Sequence, residues 1–250
     1  PQDLNLSLRR QRQMCIRDSF EGIQHILARH EQGATHEAEG YAKSSGKVGV
    51  VVVTSGPGAT NAVTGIADAY LDSVPLLVFT GQVGRLSIGK DAFQEADTVG
   101  ITAPITKYNY QIRETADITR IVTEAYYLAR TGRPGPVEID LPKDVSTLEV
   151  TEINDPSLNL PHYHESEKAT DEQLQELLTE LSVSKKPVII AGGGINYSGS
   201  VDIFRAFVEK YQIPVVSTLL GLGTLPISHE LQLGMAGMHG SYAANMLSLI

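Results

Sequence analysis

The chain has 250 residues, of which 42% are hydrophobic and 20% charged, a composition typical of globular proteins. The net charge of -9 argues against non-specific nucleic-acid binding, and the single cysteine, Cys15, excludes an internal disulfide and a cysteine-rich metal site. Because no apolar run approaches the roughly 18 residues that cross a bilayer and no secretory signal pattern is present, we predict a cytoplasmic protein that acts on small molecules.

Residues 1–19 do not share the periodicity of the rest of the chain, which begins at Phe20. This stretch contains four arginines within nine residues and resembles translated sequencing-adapter read-through more than a protein segment. We therefore interpret it as non-native, and the alternative interpretation is a basic, disordered arm.

Apolar runs alternate with helical periodicity from residue 22 to residue 141. The predicted strands are Gly22–Ala28, Val48–Thr54, Pro75–Thr80, Ile105–Ile112 and Pro136–Leu141. The predicted helices are Glu31–Ser44, Ala59–Leu71 and Thr115–Arg130. This alternation predicts an α/β fold, with a doubly wound parallel sheet in a first domain over residues 20–146.

A second α/β pattern follows a linker predicted over residues 147–170 from its polar and proline-rich composition. Its predicted elements are a helix Asp171–Leu181, a strand Lys186–Ala191, a glycine turn, a helix Val201–Tyr211 and a strand Ile213–Ser217. We therefore predict the start of a second, Rossmann-like α/β domain over residues 171–250. Two or three strands leave apolar surface unburied, so we expect this domain to continue in a longer parent protein.

Five segments together resemble, in order, the catalytic (large) subunit of acetolactate synthase, a thiamine-diphosphate enzyme family. They are HEQGATHEAEGYA (30–42), VVVTSGPGATN (51–61), GIADAYLDSVPLLVFTGQV (65–83), DAFQEAD (91–97) and TGRPGPVEIDLPKDV (131–145). The resemblance implies that residues 20–146 form the pyrimidine-binding domain and that residues 171–250 begin the central, FAD-associated domain. It also implies an activity, the decarboxylating condensation of pyruvate with pyruvate or 2-ketobutyrate in the biosynthesis of valine, isoleucine and leucine.

The resemblance makes Glu31 the catalytic acid, hydrogen-bonded to a ring nitrogen of the thiamine aminopyrimidine. By itself, a glutamate in a first helical turn more often only favours the helix dipole. The resemblance also places Pro57 and Asn61 near the aminopyrimidine. The glycine-proline turn is otherwise an ordinary strand-to-helix connection, and it lacks the lysine of a phosphate-binding P-loop.

Four residues match the family's substrate channel: Gly33, Phe93, Gln94 and Lys143. An alternative interpretation, compatible with the first, is a helix start with Asp91 as N-cap and Gln94 completing a capping box.

Three residues match positions that contact FAD in the family, namely Arg133, His239 and Gly240, and the flavin-binding stretch would run from His239 to Ile250. The run Gly192–Gly194 resembles a dinucleotide-binding turn only weakly, because Tyr197 stands where the third glycine is required. His162 and His164 lack the spacing of a metal site, so we predict that they face solvent and that the chain holds no metal.

The family binds thiamine diphosphate through Mg²⁺ at a Gly-Asp-Gly motif, which does not occur in this sequence. We therefore expect the diphosphate and Mg²⁺ site to lie outside this chain, and the chain alone to be inactive. The resemblance implies a homodimer or homotetramer and a possible small regulatory subunit. Two alternatives remain: another thiamine-diphosphate enzyme, such as a catabolic acetolactate synthase or glyoxylate carboligase, and a non-catalytic dimerisation or binding relative.

Overall fold

The computed structural model describes residues 25–149, 156–165 and 168–247. The chain divides into two compact units, Pro1–Ser166 and Glu167–Ile250. Both are built from parallel strands and helices, which confirms the predicted α/β class. The arm predicted over residues 1–19 lies outside the described residues. So does the first part of the strand predicted over residues 22–28, and its described part, residues 25–28, is irregular.

The first unit contains a four-stranded parallel sheet in the order β1-β2-β4-β3. Its strands are β1 (Gly49–Val53), β2 (Leu76–Gln82), β3 (Tyr108–Gln111) and β4 (Pro136–Pro142). Its helices are α1 (Glu31–Ser45), α2 (Pro57–Leu71), α3 (Thr98–Thr102) and α4 (Ile118–Arg130). Because all four strands run in the same direction, their carboxyl ends meet at one edge of the sheet.

The central strands β2 and β4 are buried because helices cover both faces of the sheet. Helices α1 and α2 pack with β1 and alternate residues of β2 around Ile66, whereas α4 packs on the opposite face around Ile139. Val50 and Val52, on β1 at the edge of this sheet, are more than half exposed. The continuous apolar runs of β2 and β4 therefore correspond to strands with both faces covered, whereas β1 has one face exposed.

Helices α1 and α2 approach each other closely at Gly65. A Cβ atom at Gly65 would lie 2.7 Å from the Cβ of Thr35, which is fully buried. The Thr35 hydroxyl also donates a hydrogen bond to the carbonyl oxygen of Glu31, at 2.8 Å. This contact therefore fixes the first turn of α1 relative to α2.

The second unit contains a three-stranded parallel sheet in the order β5-β6-β7. Its strands are β5 (Ile189–Ala191), β6 (Val215–Ser217) and β7 (Gln232–Met235). Its helices are α5 (Asp171–Val183), α6 (Gly194–Tyr197), α7 (Val201–Tyr211) and α8 (Tyr242–Leu247). A capping box between Thr170 and Gln173 begins α5. The sequence patterns did not predict β7 or α8. None of the helices in the described parts of the chain is both long and apolar enough to cross a membrane.

Part of the segment predicted as a linker packs on the first unit. Leu160 and Tyr163 contact the cluster beneath α4, and the Tyr163 hydroxyl lies 2.9 Å from the hydroxyl of Thr131. These contacts hold residues 158–165 against the domain, together with a hydrogen bond from the backbone N–H of Asn159 to Glu124 Oε1, at 3.2 Å. His162 and His164 are exposed.

We expect Gly65→Ala to lower the free energy of unfolding by about 1–3 kcal/mol, because the added methyl group overpacks the buried contact with Thr35. The matched control is Gly40→Ala, also within a helix, where nothing lies within 4 Å of the added atom. There we expect no change or a gain of up to about 1 kcal/mol from helix propensity. Chemical denaturation measures both, and equal effects at the two positions would contradict the proposed contact.

Candidate functional site

The candidate site lies at the carboxyl edge of the first sheet, where α1 and α2 both begin. Glu31 is the first residue of α1, and Asn61 lies in the second turn of α2. The Asn61 side-chain amide donates a hydrogen bond to Glu31 Oε2, at 3.1 Å. Two residues thirty positions apart in the sequence are therefore brought together, and Glu31 stays partly exposed.

Two glycines of the Ser55–Gly58 turn allow close approach to this pair. Gly56 has φ +61°, and a Cβ atom there would lie 2.7 Å from the carbonyl oxygen of Gln94. At Gly58 the added atom would lie 2.6 Å from Thr54 Cγ2 and 3.6 Å from Glu31 Oε1. The turn is thus packed against both the Glu31 carboxylate and the segment that carries Gln94, while Pro57 is exposed.

Residues 83–97 form a loop that follows β2 at the same edge. The Glu95 carboxylate accepts backbone hydrogen bonds from Gly89 and, at 2.8 Å, from Ala92, which lowers its pKa. Phe93 is 87% exposed, so its ring is available to a ligand or a partner. Gln94 has φ +62°.

The prediction that Asp91 caps a helix with Gln94 at the third position is wrong. Both residues have positive φ, which a helix does not accommodate. The helix begins later: Asp97 is the N-cap of α3 and accepts a hydrogen bond from the backbone of Gly100, at 3.0 Å.

The remaining substrate-channel candidates stand at the same edge. Lys143 follows β4, with its backbone N–H donating to the carbonyl oxygen of Gln82 at 3.0 Å and its side chain exposed. Gly33 lies in the first turn of α1, with open space where a side chain would begin. The edge thus carries the Glu31–Asn61 pair, the glycine turn and these channel candidates.

Arg133 lies elsewhere, at the amino end of β4. Its guanidinium donates to the Ser73 hydroxyl at 2.7 Å and to the carbonyl oxygen of Leu71 at 3.2 Å. The second contact supplies a hydrogen-bond donor to a carbonyl oxygen at the carboxyl end of α2, so Arg133 has a structural role that requires no ligand.

In the second unit, His239 is exposed and Gly240 closes a turn by donating to the carbonyl oxygen of Gly237, at 2.9 Å. Asn245 of α8 holds the same turn, accepting from the N–H of Gly237 at 2.8 Å and donating to its carbonyl oxygen at 3.0 Å. A Cβ atom at Gly240 would lie 2.3 Å from the carbonyl oxygen of Met235, so packing alone requires glycine there.

The glycine run before α6 also has a packing role. A Cβ atom at Gly193 would lie 2.9 Å from Leu220 Cβ and 3.2 Å from the ring of Tyr197. Tyr197, which stands where the dinucleotide-binding pattern requires a third glycine, therefore packs beside the turn.

A cluster of charged residues that the sequence pattern did not indicate lies between α1 and α2. Glu39 is buried, which would raise its pKa, but hydrogen bonds with Lys43 and His36 lower the pKa below the usual range. His36, Glu39 and Asp68 have ligand atoms within 4.8 Å of one another. However, Glu39 already pairs with the Lys43 ammonium at 2.7 Å, and His36 Nδ1 lies 3.1 Å from Glu39 and 3.6 Å from Asp68, so contacts within the protein account for the cluster.

Two buried carboxyl groups, Glu138 and Asp140, were also overlooked. Both lie within β4 with no exposed surface. Burial and the nearby Asp140 charge raise the pKa of Glu138 to about 7, and burial raises the pKa of Asp140. The sequence does contain a pattern that could have indicated them, because two acidic residues alternate with apolar residues within the strand at residues 136–142.

Comparison with protein-family models gives two matches. Residues 13–101 match the N-terminal thiamine pyrophosphate (TPP) binding domain of thiamine pyrophosphate enzymes, and residues 174–248 match the central domain of the same enzymes. Together the matches cover more than half of the chain, and the first contains the Glu31–Asn61 pair.

Curated relatives are similar over most of this chain. The acetolactate synthase large subunit of Lactococcus lactis is 99% identical over 228 residues, which are 91% of this chain and 40% of that protein. The large subunit of Buchnera aphidicola from Schizaphis graminum is 51% identical, and the isozyme 3 large subunit of Escherichia coli is 47% identical, each over 90% of this chain and 40% of the relative. The chain thus spans about two fifths of the length of these relatives.

We expect Gly56→Ala to lower the free energy of unfolding by at least about 2 kcal/mol, because the methyl group meets the Gln94 backbone at a positive φ. The control is Gly33→Ala at the same edge, where the added methyl group meets open space and we expect little change. If denaturation shows Gly56→Ala to be as stable as the unmodified chain, the packing of loop 83–97 on the turn is not required.

Proposed function

We propose that this chain, which belongs to the thiamine pyrophosphate enzymes, forms the pyrimidine-binding side of an acetolactate synthase large subunit. The reaction is the condensation of two 2-keto acids, pyruvate with pyruvate or 2-ketobutyrate, with loss of carbon dioxide. The single observation that carries the proposal is the Glu31–Asn61 pair beside the Ser55–Gly58 turn, within the part of the chain that matches a thiamine-binding domain.

The residues present fit an aminopyrimidine. Asn61 occupies one side of the Glu31 carboxylate through Oε2, and an ionised carboxylate accepts about four hydrogen bonds, so acceptor capacity remains for a ring nitrogen. Gly58 lacks a side chain where Oε1 faces the turn, which keeps that oxygen accessible. When bound, thiamine diphosphate supplies the carbon that attacks the keto acid and accepts its electrons during decarboxylation.

Glu31 would exchange a proton with the ring nitrogen that it binds. A general acid–base group must lie within hydrogen-bond reach of the atom it serves, and the start of α1 directs Glu31 to the edge where both helices begin. Asn61 fixes the orientation of the carboxylate. The positive ends of the α1 and α2 dipoles also point to this edge.

Loop 83–97 would shape the approach of the keto acids. The exposed ring of Phe93 supplies an apolar wall, and Gln94 is held in place by its backbone contact with Gly56. Gly33 and the exposed Lys143 stand at the same edge, where Lys143 would attract the carboxylate of a 2-keto acid.

Further cofactors and partners follow from the resemblance and from the names of the relatives. We include in the proposal that FAD is a cofactor, with Arg133 of the first unit and, separately, His239 and Gly240 of the second unit as candidate contacts. The proposal also includes a diphosphate and Mg²⁺ site outside these 250 residues. The remaining donors of the Arg133 guanidinium and the exposed His239 ring leave both available to a ligand. A homodimer or homotetramer in the cytoplasm, with a small regulatory subunit, completes the proposal. The designation "large subunit" of the relatives supports the small subunit.

In a complete large subunit carrying this sequence, we expect Glu31→Gln to reduce kcat at least about 100-fold, because glutamine cannot exchange a proton with the ring nitrogen. Carbon dioxide release from pyruvate, with thiamine diphosphate and Mg²⁺ supplied, measures the effect. Glu37→Gln is the matched control, an exposed glutamate on the same helix. Unchanged turnover in Glu31→Gln would remove Glu31 from the mechanism.

We expect the 250-residue chain alone to release no carbon dioxide from pyruvate under the same conditions, because it spans only about two fifths of the relatives. The complete subunit assayed in parallel is the positive control. Turnover by the chain alone would show that it contains a diphosphate site that we have not identified.

A further inference from the structure

A buried polar network lies on the face of the first sheet against which α3 packs. Glu138 and Asp140 stand two residues apart on β4, so both side chains project from this face, and neither is exposed to solvent. Their hydrogen-bonding partners come from the neighbouring strands β2 and β3: Thr80, Gln82, Asn109 and Gln111.

The central contact of this network requires a proton on one carboxyl group. The Thr80 hydroxyl oxygen lies 2.5 Å from Glu138 Oε1 and 3.2 Å from Asp140 Oδ1. A hydroxyl group has one hydrogen to donate, so it can satisfy only one ionised carboxylate. If both groups were ionised, the other carboxylate oxygen would face a lone pair of Thr80 in a buried site, where an unpaired charge is costly.

The donors around Asp140 indicate which group stays ionised. Besides Thr80, Asp140 is within reach of the side-chain amides of Gln111, at 3.0 Å, and Gln82, at 3.3 Å. Glu138 has one amide donor, that of Asn109 at 3.3 Å. Three donors stabilise a carboxylate at Asp140, so the proton belongs on Glu138, which can then donate to Thr80.

Charges and hydrogen bonds act differently on the two carboxyl groups of the pair. Burial and the charge of Asp140 raise the pKa of Glu138 to about 7. Burial and the charge of Asp97, at the start of α3, raise the pKa of Asp140, but hydrogen bonds from three side chains, Gln111, Gln82 and Thr80, lower it. Only two side chains, Thr80 and Asn109, lower the pKa of Glu138 in this way.

Gln82 connects this network to the candidate site. Its side-chain amide also donates to the carbonyl oxygen of Ala96 at 2.7 Å, and its side-chain oxygen accepts from the N–H of Val83 at 2.9 Å. Val83 and Ala96 stand near the two ends of loop 83–97. One side chain thus ties both ends of the loop that carries Phe93 and Gln94 to a buried carboxylate.

We propose that Glu138 carries a proton and donates it in a hydrogen bond to Thr80, and that the ionised Asp140, acting through Gln82, is a positioning residue for loop 83–97. The placement of the proton is independent of the proposed function. The consequence for keto-acid binding at Phe93 and Gln94 rests on that function.

The test compares isosteric variants in the complete large subunit: Glu138→Gln, Asp140→Asn and Gln82→Met. We expect Glu138→Gln to keep wild-type amide hydrogen exchange in residues 89–97, because glutamine can donate to Thr80 as the protonated acid does. Asp140→Asn places an amide against three donors, and Gln82→Met removes the tie to Ala96. Both should accelerate exchange in residues 89–97 at least about tenfold.

Infrared spectroscopy at mildly acidic pH supplies an independent readout of the proton. We expect the carbonyl stretching band of a buried, protonated carboxyl group in the wild type, its loss in Glu138→Gln and its persistence in Gln82→Met. Loss of the band in Asp140→Asn but not in Glu138→Gln would place the proton on Asp140 and overturn the assignment. Failure of Glu138→Gln to fold would also overturn it.

Kinetics separate this inference from the proposed function. If the wild type turns over pyruvate, Gln82→Met should raise KM at least about fivefold and lower kcat less, because it displaces the loop but leaves Glu31 in place. If the wild type does not turn over pyruvate, the proposed function fails, while hydrogen exchange and infrared spectroscopy still decide the inference. Wild-type exchange in the loop of Gln82→Met would refute the positioning role, even if Asp140→Asn does not fold.

Discussion

The close approach of α1 to α2 at Gly65 is the constraint on which the candidate site depends. Thr35 fills the space that a side chain at residue 65 would occupy, and its hydroxyl binds the backbone of Glu31. The spacing of the two helices therefore sets the distance between the Glu31 carboxylate and Asn61. A wider separation would pull the acid away from the residue that orients it.

The parallel arrangement of the sheet explains why the site lies where it does. Parallel strands bring their carboxyl ends to one edge, and the connections that leave this edge carry the functional side chains. After β1 comes the glycine turn, after β2 the loop with Phe93 and Gln94, and after β4 Lys143. Arg133 precedes β4 and so lies at the opposite edge, whatever role it has in binding.

Periodicity predicted most of the fold because long amphipathic helices and continuous apolar strands have strong local signals. The helix from Val201 to Tyr211 has the predicted bounds, and β1, β2 and β4 lie within two residues of prediction at either end. The strand β7 and the helix α8 were missed because they have only four and six residues and lie among glycines. Such short elements form through tertiary contacts, for example the bonds from Asn245 to Gly237.

The loop after β2 shows why local rules fail at a site. Asp91 and Asp97 are both suitable N-cap residues, and the local pattern favours Asp91, because only Asp91 has a capping-box partner, Gln94, three positions later. Gly56 decides between them, because it packs against the backbone of Gln94, which has a positive φ that no helix accommodates. A contact between residues nearly forty positions apart thus overrides the capping pattern.

The buried acids of β4 likewise depend on tertiary contacts that a local sequence rule does not show. In the sequence, Glu138 and Asp140 interrupt an apolar strand, which a rule based on hydrophobicity treats as a weakness in the core. The structure surrounds them with hydroxyl and amide groups from β2 and β3, and the cost of burial is offset only while those groups keep one arrangement. Two apolar side chains at residues 138 and 140 would specify this arrangement less well, because they could not accept a hydrogen bond from Gln82. The polar network therefore links the rigid centre of the sheet to the loop that must be placed accurately at its edge.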